Sequence, residues 1–167
     1  MTADEVKKLL GLEPHPCEGG WFRQTYESGE RVAAEAFADG RYEGARLTGT
    51  VIYYLLEPDS FSEMHRVKSD EVFHFYAGDA VEMLQLDEQG SGNVVRIGND
   101  LAAGERPQVV VPRGVWQGSR LAQGGQWALL GCSVCPGFEY EDYEAGGRVE
   151  LCAVWPRFDA LIRALTR

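Results

Sequence analysis

Two segments of the chain carry polar side chains within otherwise apolar, strand-like sequence. The first spans residues 61–79 and contains His65 and Glu71, and the second spans residues 111–117 and ends in Gln117. An imidazole beside a carboxyl group in a partly dry interior has displaced pKa values and can move a proton next to a carbonyl. The amide of Gln117 can donate to negative charge that develops on the same molecule. These residue types fit acid–base chemistry and ligand recognition equally well.

Strand alternation predicts which of these side chains face the interior. If Glu71 points inward, Phe73 and Phe75 do too, whereas His74 points outward. Of two adjacent tyrosines, which must lie on opposite faces, we expect Tyr54 to reach the cavity. An inward set of aromatic and apolar side chains with a few polar groups is the composition of a small-molecule pocket.

The two titratable residues also have purely structural interpretations. His65 could be a hydrogen-bonded core histidine. Glu71 would be costly inside a small barrel without a partner, so it could instead form a salt bridge with Arg23, Arg66 or Arg113.

Three other residues are candidates for binding a ligand. Arg23 follows two glycines and two aromatic residues and could hold an anionic ligand by a bidentate contact, although a solvated arginine fits as well. Trp116 could stack on a ligand or pack in the core. Gln117 could bind the ligand or satisfy a backbone group.

Composition and charge exclude several classes of function. The chain has 167 residues, of which 44% are hydrophobic, and this suits a single globular domain over residues 1–167. Its 16 basic and 26 acidic residues give a net charge of −10, which repels phosphate backbones, so we expect no nucleic-acid partner. No segment approaches the roughly 20 apolar residues of a membrane span, and no signal peptide is recognisable. We therefore expect a cytoplasmic protein with no membrane partner.

The four cysteines are expected to be free thiols. Cys132 and Cys135 form a C-x-x-C within a strand-like segment, and residues three apart on a strand point to opposite faces. That geometry suits neither a disulfide nor a pair of metal ligands.

The elements that would position the polar residues are mostly short strands. Residues 3–10 predict a helix that Thr2 or Asp4 caps, and residues 158–166 predict another with one apolar face. The polar residues 28–46 predict a loop. Short strands separated by turn signals are typical of an all-β sandwich or barrel. The predicted strands are 21–26, 48–56, 61–66, 71–76, 81–86, 94–97, 108–111, 115–120 and 127–135.

The two polar segments resemble the two motifs of the cupin superfamily. His65, Glu71 and Gly78 match the spacing of the first motif. Pro112 and Gly114 match the second motif. The resemblance implies a double-stranded β-helix, which is a jelly-roll cupin barrel, with short N- and C-terminal helices added here.

The chain departs from the cupin motifs at two metal-ligand positions. The second histidine of the first motif is Val67, and the histidine of the second motif is Gln117. A full cupin site has three histidines and one glutamate around a divalent metal. The resemblance therefore implies an incomplete site of His65, Glu71 and Gln117 that would bind a divalent metal only weakly.

A more specific resemblance covers residues 9–145. The chain resembles a family of small single-domain cupins of unknown function, and this implies a homodimer and a shape like that of sugar-nucleotide epimerases. The matching segments are Gly19–Arg23, His65–Val67, Asp70–Asp79, Gly114–Gln117 and Pro136–Tyr143.

We therefore expect a cupin that binds a small polar metabolite in its barrel and acts on it as an isomerase or epimerase does. In this hypothesis His65 is the base, Glu71 orients it or is the acid, and Gln117 donates to developing charge. The alternatives are a cupin that binds or senses a ligand without turnover and a weak metal-dependent enzyme.

Overall fold

The chain folds into antiparallel β-structure with short helices near both ends, and the computed structural model describes residues 1–37 and 39–167. The helices are α1 (Ala3–Leu10), α2 (Arg148–Val154) and α3 (Asp159–Ala164). The strands are β1 (Glu13–Pro14), β2 (Trp21–Glu27), β3 (Arg31–Val32), β4 (Arg46–Leu47), β5 (Thr50–Leu56), β6 (Phe61–Arg66), β7 (Asp70–Gly78), β8 (Val81–Leu86), β9 (Gly92–Ile97), β10 (Gln108–Val111), β11 (Trp116–Leu121), β12 (Ala128–Cys135) and β13 (Glu144–Ala145).

Two sheets form the barrel. The larger sheet has the strand order β1-β2-β5-β12-β7-β10, and the smaller sheet has the order β13-β6-β11-β8-β9. Side chains from both sheets, among them Tyr54 and Phe73 of the larger and Met83 and Leu121 of the smaller, form one buried cluster. The core therefore lies between the sheets, which is the arrangement of a jelly roll and confirms the predicted fold class.

Strand β8 is apolar on both faces because it separates two cores. Val81 and Met83 point into the barrel, whereas Leu84 and Leu86 point outward. The outward pair packs against α2 and α3, where Ile162 is fully buried. The C-terminal helices thus cover the outer face of the smaller sheet.

The predicted N-terminal helix is confirmed at both ends. The Thr2 hydroxyl accepts from the backbone of Glu5, whose side chain accepts from the backbone of Thr2, which makes a capping box. Gly11 ends the helix at a φ of 62°, a left-handed conformation that glycine adopts without a steric penalty. Val6 packs against Leu55 on the outer face of the larger sheet.

The C-terminal region contains more helix than the sequence predicts. The predicted helix at 158–166 is α3, preceded by a 3-10 turn over Pro156–Phe158. The preceding helix α2 was not predicted. It has seven residues, of which only Leu151 is buried, so it leaves little periodic signal and depends on tertiary packing.

A buried ion pair holds the polar segment 28–46 against the barrel. The segment was predicted as a loop, and its described part, which excludes residue 38, contains β3, the start of β4 and a 3-10 turn at Ala34–Ala36. Arg46, which is 2% exposed, lies 2.7 Å from the equally buried carboxylate of Asp142. A paired and hydrogen-bonded charge can be buried where a lone charge cannot, so the pair links this segment to the loop before β13.

The four cysteines are free, with Cys132 buried and Cys135 exposed on opposite faces of β12. Among the residues that the structure describes, no helix is both long and apolar enough to cross a membrane.

Candidate functional site

The barrel encloses a cavity of about 220 Å³ that opens at one end. Its walls are largely aromatic and aliphatic, and its inner end carries Glu18 and Glu71. Exposed polar residues, including Glu27 and Arg31, lie at the mouth. A mostly apolar pocket with a few converging polar groups is typical of small-molecule sites.

A chain of hydrogen bonds connects the smaller sheet to the larger sheet at the inner end of the cavity. Gln117 of β11 lies directly opposite His65 of β6 in the strand register. The Gln117 side-chain amide donates to His65 Nε2 at 2.8 Å and to Glu71 Oε2 of β7 at 3.1 Å. Its oxygen has no hydrogen-bond partner among the described residues. Gln117 therefore joins the two titratable side chains that the sequence singles out.

Both His65 and Gln117 are fully buried behind the cavity wall, and neither lines the cavity. The His65 ring stacks on Tyr143, with 5.0 Å between the ring centroids. Its Nδ1 donates to the carbonyl of Glu63 at 2.7 Å, which leaves Nε2 to accept from Gln117. These contacts fix the tautomer and orientation of the ring.

Glu71 lies on the cavity wall and is 5% exposed. The pKa of this carboxyl is raised from 4.5 to about 7, mainly because the group is buried and also because Glu18 is near, while His65, Gln117 and the Cys132 thiol oppose the shift. A carboxyl with a pKa near neutrality can both donate and accept a proton at physiological pH.

The salt bridge considered for Glu71 does not form with any of the three candidate arginines. Arg23 donates to the carbonyl of Leu10, Arg66 pairs with Glu144, and Arg113 pairs with Asp39. Glu71 instead accepts from neutral groups.

A second titratable pair, His15 and Glu18, lines the same end of the cavity. Both lie in a segment that we call the strap, residues 15–20, between β1 and β2. The backbone N–H of Glu18 donates to His15 Nδ1 at 3.0 Å, so Nε2 faces the Glu18 carboxyl at 3.6 Å. Glu18 also lies 3.8 Å from His65 Nε2. Burial raises the pKa of Glu18 and lowers that of His15.

His15 and Glu18 are not among the predicted site residues. The Pro and Gly residues of the strap disfavour a helix, but no local pattern indicates that it folds over the barrel. A His and a Glu three residues apart within a Pro/Gly segment were the available signal.

The other predicted site residues are divided between the cavity and the outside. Tyr54 and Phe73 line the cavity. Phe75 packs against the inner core, on the side that strand alternation predicts, but does not line the cavity. Arg23 contacts the C-terminal end of α1, and Trp116 packs with the C-terminal helices beneath the guanidinium of Arg66.

The arrangement of His65, Glu71 and Gln117 does not fit a divalent metal. Gln117 turns its amide nitrogen, not its oxygen, toward the other two residues, and that N–H occupies the lone pair of His65 Nε2. Across residues 1–37 and 39–167, no group of three or more His, Cys, Asp or Glu side chains is placed to hold a metal ion. A divalent transition metal needs several such ligands in one sphere.

One curated protein shares sequence with most of the chain. It is an uncharacterised protein of Saccharomyces cerevisiae, YML079W, which is 29% identical over 133 residues. The match covers 75% of this chain and 66% of the yeast protein, just under two thirds of its length.

Two solved structures share the fold over nearly their full lengths. Protein SO0799 from Shewanella oneidensis is 35% identical, with a TM-score of 0.87 over 100% of this chain and 98% of its own. A hypothetical protein from Leishmania major is 31% identical, with a TM-score of 0.88 over 99% of both chains.

More distant structures share the fold alone. Oxalate decarboxylase of Bacillus subtilis is 15% identical with a TM-score of 0.55, and the match covers 92% of this chain but 37% of that one. The family described as "Cupin superfamily (DUF985)" matches residues 4–146. With its two-sheet barrel and this match over most of its length, the chain belongs to that family of cupins.

Proposed function

We propose that this cupin binds a small polar molecule in its barrel and moves a proton on it, as an isomerase or epimerase does. The observation that supports this proposal most directly is the Glu71 carboxyl on the cavity wall. It is held by Gln117, shielded from water and has a pKa near neutrality. Proton transfer is most efficient when the pKa of the catalytic group lies near the working pH.

The geometry favours a different division of roles from the one that the sequence predicts. Because His65 is fully buried and does not line the cavity, we assign the proton transfer to Glu71 and a positioning role to His65. His65 holds the Gln117 amide, and that amide orients the carboxyl. Glu18 with His15 is the second titratable group at this end of the cavity. One of the two carboxyl groups, Glu71 or Glu18, can therefore abstract a proton from the ligand while the other returns one.

Deuterium exchange tests the proposal without knowledge of the substrate. The protein is incubated in D₂O with a small-molecule cell extract, and mass spectrometry identifies metabolites that gain one deuterium. We expect at least one such metabolite with the wild-type protein, and a rate at least tenfold lower with Glu71→Gln. Glu82→Gln, which alters a partly exposed pair with Arg120, should leave the rate unchanged.

The same incubation separates the alternatives. If no metabolite gains deuterium with the wild-type protein, proton transfer on carbon is rejected and a binding or sensing role remains. If exchange occurs but disappears after treatment with a chelator and returns with a divalent metal, the chemistry belongs to a weakly bound metal and not to Glu71.

A further inference from the structure

We infer that the ligand of this cavity is a small organic cation that presents an ammonium group to Glu71 and Glu18. The inference rests on the proposed binding of a small molecule in the barrel and specifies the chemical class of that molecule. Three features of the cavity support it: its charge, the partners of its buried carboxyl groups, and its aromatic walls.

The cavity is rich in negative charge. Glu18 and Glu71 lie at its inner end, and Glu27 and Glu139 line it near the mouth. Among the described lining residues, Arg31 is the one Arg or Lys. It is 55% exposed and lies 3.6 Å from the carboxylate of Glu139, which already offsets its charge. The excess of carboxyl groups around the cavity disfavours a phosphate or carboxylate ligand and favours a cation.

The Glu71 carboxyl at the inner end forms no salt bridge with any Arg, Lys or His side chain that the structure describes. Glu71 accepts from the Gln117 amide at 3.1 Å and faces the Cys132 thiol at 3.8 Å. A buried carboxylate without a paired charge is costly, and a cation beside it offsets that cost. An ammonium group of the ligand would be that cation, and it would hold Glu71 in the ionised form that abstracts a proton in the proposed function.

Glu18 completes the acidic end. One of its oxygens accepts from the Ser62 hydroxyl at 3.4 Å, and the other lies 3.6 Å from His15 Nε2 and 3.8 Å from His65 Nε2. Neither histidine lies within hydrogen-bond distance of the Glu18 carboxyl group, which is therefore also open to a cationic ligand.

The walls suit an organic cation rather than a hydrated metal ion. Phe22, Tyr54, Phe73 and Phe138 line the cavity, and the faces of aromatic rings attract ammonium groups. The volume of about 220 Å³ leaves room for a small organic molecule and not only for a single ion. Sugar nucleotides and oxalate are anions, so neither class of compound matches this cavity.

Three probes that differ only in their polar group test the inference. Benzylamine, benzyl alcohol and benzoate are titrated into the protein at pH 7.5 and low salt, with binding measured by calorimetry. We expect benzylamine to bind at least tenfold more tightly than benzyl alcohol, and benzoate not to bind. Glu71→Gln should weaken benzylamine at least tenfold and leave benzyl alcohol unchanged, while Glu43→Gln, at an exposed site away from the cavity, should change neither.

Several results would overturn the inference. Benzyl alcohol could bind as tightly as benzylamine or more tightly, or benzoate could bind measurably. Alternatively, no probe could bind, or benzylamine could still bind after Glu71→Gln and Glu18→Gln are combined. Tight binding of the alcohol alone would reject the cationic ligand while cavity binding stands. The deuterium exchange experiment uses none of these probes, so the proposed function fails or survives separately. Circular dichroism of each variant checks that it is folded.

Discussion

At the scale of single residues, the unusual feature is a protonatable carboxyl inside a barrel that is otherwise largely apolar. Glu71 is neither salt-bridged nor replaced by a hydrophobic side chain, although either would cost less free energy. Gln117 holds it in place with one neutral hydrogen bond, and His65 holds Gln117. Such an arrangement lowers the free energy of unfolding at neutral pH, and groups with pKa values displaced in this way are common at functional sites.

The raised pKa of Glu71 predicts how its replacement changes stability with pH. The folded protein binds this proton more tightly than the unfolded chain, so the contribution of Glu71 is most favourable below its ordinary pKa of 4.5 and is lost as pH rises toward 7. We therefore expect Glu71→Gln, which stays neutral, to gain stability relative to the wild type between pH 5 and pH 8, by up to about 3 kcal/mol.

Urea denaturation of both proteins at pH 5, 6, 7 and 8 measures this difference. Glu82→Gln serves as the control, since its carboxylate is partly exposed and ion-paired on the surface. A stability difference between wild type and Glu71→Gln that does not change with pH would contradict the prediction.

At the scale of elements, the strap decides how the inner end of the cavity is closed. Its backbone is tied to the barrel, because Tyr54 donates to the carbonyl of Gly19 at 2.8 Å and the backbone N–H of Glu63 donates to that of Glu18 at 2.9 Å. These bonds join the strap to one strand of each sheet. They position His15 and Glu18 opposite the strands that carry Glu71 and His65.

Because the strap lies close to β6, adding one methyl group at Gly19 is expected to destabilise the protein. Gly19 has a φ of 93°, and a Cβ there would lie 2.5 Å from the carbonyl oxygen of Phe61. We expect Gly19→Ala to lower the free energy of unfolding by about 1–3 kcal/mol and to weaken ligand binding, because the strap must shift.

Gly29→Ala is the matched control. No described atom lies within 4 Å of a Cβ at Gly29, so the change should alter stability by less than about 0.5 kcal/mol. Urea denaturation and probe titration measure both variants. Equal stability of the two would show that the strap tolerates the added methyl group.

At the scale of the whole molecule, the outer face of the larger sheet exposes more apolar surface than a solvated face needs. Tyr76 is 46% exposed and Val110 is 51% exposed on the neighbouring strands β7 and β10. The outer face of the smaller sheet, in contrast, is covered by α2 and α3. Helix α1 covers this face around Leu55, so the part that stays exposed, around Tyr76 and Val110, is where we expect a second copy to pack.

We expect a homodimer formed through this face. One chain has a mass of 18.5 kDa. Size-exclusion chromatography with light scattering at micromolar concentration should give twice that mass. Tyr76→Asp should shift the mass toward the monomer, whereas Leu101→Asp, in an exposed loop, should not. A monomeric wild-type protein would reject the prediction.

Local sequence patterns determined the elements and the faces of their side chains. The strands at 61–66, 81–86 and 108–111 have the predicted bounds, because turn residues delimit each of them. Alternation along β7 placed Glu71 and Phe73 inward, and Thr2 with Gly11 marked the ends of α1. Each of these depends on residues that are neighbours in sequence.

The tertiary structure alone decided which polar groups meet. Gln117 and Glu71 are 46 residues apart and lie in different sheets, so their hydrogen bond exists only once the sheets face each other. The strap brings His15 and Glu18 to the cavity for the same reason, while the packing of Tyr143 and Gln117 separates His65 from it. Local patterns specify the direction of a side chain along its own strand, but contacts between distant segments depend on how the sheets and the strap pack together.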